Sequence, residues 1–106
     1  MNNYVENFSQ NQIDKQCKYL WGITLDLLYK KEENYSFLDN RIQSVINIVS
    51  GHNMIFHNSP KVITICSLLE RARVDDRQFR KCIMDSLSLI DELRMDFVFK
   101  GGDINV

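Results

Sequence analysis

Residues 59–72 read SPKVITICSLLERA, and this stretch decides between a helical and a mixed fold. Ser59 followed by Pro60 is a helix-start signal. The serine side chain can accept from an orphan N–H, and proline is pre-set for the first helical position. Val62, Ile63, Ile65, Cys66, Leu68 and Leu69 then supply the apolar positions of a short helix to about Ala72. The competing possibility is a β-hairpin over MIFH-NSP-KVITIC, because VITI is rich in β-branched residues. The continuation SLLERA favours the helix, with Met54–Phe56 as a short extended segment before it.

Upstream, residues 1–11 are polar and rich in Asn and Gln, which predicts a flexible tail. From Ile13 the pattern is helical: Ile13, Cys17, Leu20, Trp21, Thr24, Leu27 and Leu28 share one face. Tyr19, Ile23, Leu25 and Tyr29 lie off that face, so the helix is apolar over more than one stripe. Tyr19, Trp21, Leu25 and Tyr29 are therefore candidates for self-association, since large aromatics anchor interfaces. KKEEN closes this helix. Ser36 and Asp39 resemble a capping box for a second helix with Tyr35, Leu38, Ile42, Val45, Ile46 and Val49 on its face, and Gly51 stands at its expected stop.

Downstream, Asp75 with Gln78 predicts the capped start of a last helix. Its core face is Phe79, Ile83, Leu87, Ile90, Leu93 and Phe97, and it runs to about Val98 before Lys100-Gly101-Gly102. The expected organisation is a single helical domain over 12–99 between a tail at 1–11 and another at 100–106. Four Gly and one Pro in 106 residues also favour long elements. The expected fold is all-α, a small bundle of about four helices, dimeric.

Net charge is -1, which gives no global attraction to polyanions. RARVDDRQFRK (71–81) nevertheless concentrates cations. Most of its charge follows from helix ends: Arg71 and Arg73 close one helix, and Asp75 and Asp76 open the next. Arg73, Arg77, Arg80 and Lys81 are the candidate ridge for DNA phosphates or an acidic partner. Cys17, Cys66 and Cys82 lie in helical patterns without a CxxC pair, and no signal peptide or membrane-length apolar run occurs. A reducing cytoplasm with buried thiols is expected. Cys82 stands beside Lys81, which favours its thiolate, but near the core face. His52, His57 and Cys66 match no zinc spacing, Asp91, Glu92 and Asp96 pair with Arg94 and solvent, and no nucleophile arrangement or phosphate loop stands out. No metal, cofactor, catalytic residue or enzymatic activity is assigned.

The run RARVDDRQFRKCIMDSLSLI, together with IQSVINIVSGHNMIFHNS before it, resembles the flagellar master-regulator D-subunit (FlhD) family of transcriptional activators over about residues 42–93. That resemblance implies a small, all-helical, dimeric protein. It implies a C-type partner subunit that carries a zinc site and supplies much of the DNA contact. Related D-type subunits occur on mobile genetic elements. An interchain disulfide occurs in the family from a cysteine just before the His/Phe pair. Ile55 stands at that position here, so no such bridge is expected, and about one helix's worth of residues is missing between the first two helices. The expectation is a non-enzymatic regulatory subunit of a bacterial activator that touches DNA only within a complex. The alternative is a stand-alone helical binding protein, an immunity protein or secretion chaperone, that sequesters one target.

Overall fold

Ser59 acts as the expected N-cap. Its extended backbone (φ -71°, ψ 136°) presents Oγ to the Lys61 N–H at 3.2 Å, with Pro60 in the first turn. In the computed structural model, which describes the backbone of residues 10–104 and the side chains of residues 10–96, this cap opens a helix and not a hairpin. Four α-helices follow in order: α1 (Gln10–Glu32), α2 (Leu38–Val49), α3 (Pro60–Val74) and α4 (Phe79–Ile104). A 3-10 turn, Asp76–Gln78, leads into α4. No strand occurs among the described residues.

The helices close into a ring. α4 packs against both α1 and α3, and α2 fills the fourth side between α3 and α1. The interior is built from one stripe per helix: Ile13, Cys17, Leu20, Thr24 and Leu27 from α1, Ile42, Val45 and Val49 from α2, and Val62, Ile65, Leu69 and Ala72 from α3. Phe79, Ile83, Leu87, Ile90 and Leu93 of α4 complete it. The spacing of three and four residues puts these side chains on one side of each helix, and their burial is the main stabilising term. Phe97, expected on this face, has a side chain outside the described residues.

Several expectations need correction. Ile63, placed with the apolar positions of α3, is 71% exposed, because it stands about 160° around the helix from its buried neighbour Ile65. Met54–Phe56 is not extended. Residues 51–59 form successive turns, with the N–H groups of Met54, His57 and Ser59 donating to the carbonyls of Gly51, Met54 and Phe56. Phe56 plugs the core from this connector. The cap of α2 is Phe37, with no side-chain hydrogen bond, and not Ser36. The cause lies at the end of α1, where Asn34 adopts a left-handed conformation (φ 56°). Asn34 N–H donates to Lys31 O and Tyr35 N–H to Lys30 O, the paired bonds of a Schellman ending. The chain then turns through Leu38 N–H to Tyr35 O, which leaves Ser36 outside the helix and Tyr35 in the loop, off the α2 face.

Gly51 stands just past the Ser50 cap of α2, at the expected stop, and without a positive φ; a Cβ there would stand 3.2 Å from the Ile48 carbonyl oxygen, so close backbone approach explains the glycine. Asp75 does cap, accepting from Arg77 N–H at 3.1 Å, but it caps the 3-10 turn. Its own N–H is taken by Arg71 O, which removes the donor that Gln78 needed for a capping box. At the two ends, α1 already begins at Gln10, inside the expected tail, and α4 passes through Gly101 and Gly102 to Ile104. Glycine costs about 1 kcal/mol in a helix but does not forbid it.

Candidate functional site

The α3–α4 junction carries the cation cluster, and the fold divides its members. Arg73 is held within the chain. Its Nε donates to Glu70 Oε1 at 2.7 Å, a second guanidinium nitrogen also meets Glu70, and Nη1 reaches Asp39 Oδ1 on α2 at 3.3 Å. The Glu70 hydrogen bond raises its pKa first, with Asp39 adding to it. Lys81 pairs with Asp85 one turn on, at 2.8 Å, and that hydrogen bond raises its pKa. This pair is largely in water, where such contacts are weak and exchange readily. Lys31 of α1 meets Asp76 at the junction. Arg77 and Arg80 are exposed and have no ion pair among the described residues, and the same holds for Arg71 one turn before Asp75. Of the four expected ridge residues, Arg73 thus serves to tie α3 to α2, Lys81 is loosely neutralised, and Arg77 and Arg80 present free guanidinium groups. Arg71 is an addition that sequence spacing assigned to helix-end chemistry alone.

The candidate self-association face is likewise divided. Trp21, Leu25 and Tyr29 follow at i, i+4 and i+8 and form one stripe. Exposure increases along it: Trp21 and Leu25 are half-buried against the core, and Tyr29 is 58% exposed. Tyr19 is also about half exposed, yet it stands about 160° around α1 from Trp21 and belongs to the opposite flank. On α4, the neighbour of α1, Met84 and Met95 are also left exposed. Two polar atoms of α1 are buried without a hydrogen-bond partner: the Trp21 indole nitrogen Nε1 and the Thr24 hydroxyl oxygen Oγ1.

The thiols are held as neutral groups. Burial pushes Cys17 up to about 11, with Asp14 and Asp91 adding and Arg94 opposing. Burial raises Cys66 as well. At Cys82, burial outweighs the lowering effect of Arg71 and Lys81. The Cys82–Lys81 adjacency is therefore not an activated nucleophile. Asp91 stays exposed and within electrostatic reach of Arg94, as expected, whereas Glu92 and Asp96 find another partner. Arg94 donates to Asp14 of α1 at 2.6 Å, while Asp96 and Glu92 pair with Lys61 of α3.

A groove of about 540 Å³ lies between the N-terminal part of α1 and the 51–58 connector, lined among others by Lys15, Gln16, His52, Asn53 and His57. Gln16 spans it, accepting from Ile55 N–H at 2.8 Å and donating to Asn53 O at 3.3 Å. Sequence reasoning missed this residue because its role depends on a loop 37 to 39 positions away. Among the described residues, no three His, Cys, Asp or Glu side chains converge, and no helix is long and apolar enough to cross a membrane. Comparison with protein-family profiles, curated proteins and solved structures returned no match.

Proposed function

We propose that this chain is a non-catalytic regulatory subunit of a bacterial transcriptional activator, working through protein–protein contact and adding DNA-phosphate contacts only within a complex. The observation that carries the protein-contact part is the set of large apolar side chains left on adjacent helices: Tyr19 and Tyr29 on α1, Met84 and Met95 on α4. Tyrosine and methionine are enriched at interfaces, where they supply contact area with few or adaptable rotamers. Self-association uses the Trp21–Leu25–Tyr29 stripe. The phosphate-contact part rests on Arg77 and Arg80, whose guanidinium groups are exposed and have no ion-pair partner among the described residues. The resemblance of residues 42–93 to the D-subunit family supports the same assignment.

Affinity purification from the native host identifies the partner, and the reconstituted complex is then tested on DNA. Salt-sensitive retention of DNA that weakens when Arg77 and Arg80 are both changed to Ala supports the proposal. Equal retention by the double variant removes the arginines from the interface. A stoichiometric complex with one protein that leaves labelled DNA unshifted supports the sequestering protein, of the immunity or chaperone type.

A further inference from the structure

The chain's two histidines meet at the connector groove, and nothing in the proposed function uses them. The His52 and His57 rings lie 5.2 Å apart, centre to centre, with their planes at 80°. We propose that this pair is a two-imidazole site for a divalent d-block cation of the nickel or zinc type, with its remaining positions open to water or to a donor from a partner protein.

Two independent features support it. First, the ring separation suits a shared ion. With metal–nitrogen bonds of about 2.1 Å and a tetrahedral angle, two imidazole centres bound to one ion stand roughly 5 Å apart. Second, one ring nitrogen of His57 is already committed to the backbone. Its Nδ1 lies 3.0 Å from the Met54 carbonyl oxygen, which can only accept, so in the neutral ring Nδ1 carries the proton and Nε2 is the nitrogen with the lone pair. A backbone carbonyl on the far nitrogen is the usual support of a metal-binding histidine. His52 is exposed and can turn its ring to complete the chelate.

The donor set selects the class of ion. Imidazole nitrogens suit nickel, copper and zinc, whereas calcium and magnesium require oxygen ligands, and among the described residues no carboxylate lines this groove. Lys15 on its wall opposes a cation, and only two protein ligands are present, so binding is weaker than at a closed structural zinc site. The bound ion would join the first and last turns of the connector that Gln16 braces from α1.

The test is calorimetric titration of the intact chain with nickel chloride, and separately with zinc chloride, for the parent, His52→Asn and His57→Asn. Melting curves without metal establish that each variant is folded. The expected result is one ion per parent chain, with either single substitution weakening binding by at least about tenfold, since the second donor acts at high effective concentration. Selective broadening of both histidine ring resonances by nickel in the unsubstituted chain is expected as well and needs no variant. Absence of binding by the parent, or a single variant that binds as the parent does, overturns the proposal.

Discussion

At the residue scale, the interior of α1 holds two side chains whose chemistry is measurable. Thr24 is fully buried, and its hydroxyl has no hydrogen-bond partner among the described residues. Replacing an unsatisfied buried hydroxyl by a methyl of the same shape removes a desolvation penalty, so Thr24→Val is expected to stabilise the protein by about 1 kcal/mol in urea unfolding. Cys17 sets an alkaline limit. Its thiol has an ordinary value of 9.0 and is pushed up to about 11 in the fold, chiefly by burial. Between those values the unfolded chain has released the proton and the folded chain still holds it. The contribution of Cys17 is therefore complete below pH 9.0 and declines as pH rises toward 11. Thermal melts across that window are expected to show falling stability, with a shallower decline in Cys17→Ala.

At the element scale, α3 gives the clearest separation of alternatives. In a strand, Ile63 and Ile65 point to the same face, whereas on a helix they stand about 160° apart. Ile65→Ala is expected to cost 2–5 kcal/mol, roughly the range for a buried aliphatic, and Ile63→Ala less than about 0.5 kcal/mol. Similar costs at both positions would indicate the hairpin. The helical state of α3 was legible because Ser59, Pro60 and the SLLERA continuation are local signals of one structure, whereas its buried face was not, since Ile63 was grouped with it. The buried stripes of α1 and α4, which depend only on spacing, were legible too. The start of α2 was not legible. Ser36 and Asp39 have the right spacing for a cap, but the Schellman ending at Asn34 decides where the chain re-enters a helix. The connector was misread for a related reason, since its turns are braced by Gln16 of α1 and closed over Phe56, and both are tertiary events. Among the candidate site residues, spacing located the cations and aromatics but could not separate Arg73, tied to Asp39 on another helix, from the free Arg77 and Arg80.

At the scale of the whole molecule, inter-helix ion pairs surround the bundle: Arg94–Asp14 joins α4 to α1, Lys61–Asp96 joins α3 to α4, and Arg73–Asp39 joins α3 to α2. Arg77 and Arg80 take no part in this belt. Changing both to Ala is expected to leave the melting temperature unchanged within error while weakening salt-sensitive retention of DNA by the complex. A drop in melting temperature as large as that of a core variant would assign these arginines to stability. Self-association through the outer stripe of α1 is the claim on which the proposed role most depends, and light scattering on the purified chain at tens of micromolar addresses it directly. The expected mass is twice the 12.5 kDa of the chain, falling to a single chain when Leu25 and Tyr29 are both changed to Ser. A strict 12.5 kDa species from the unsubstituted protein would contradict it.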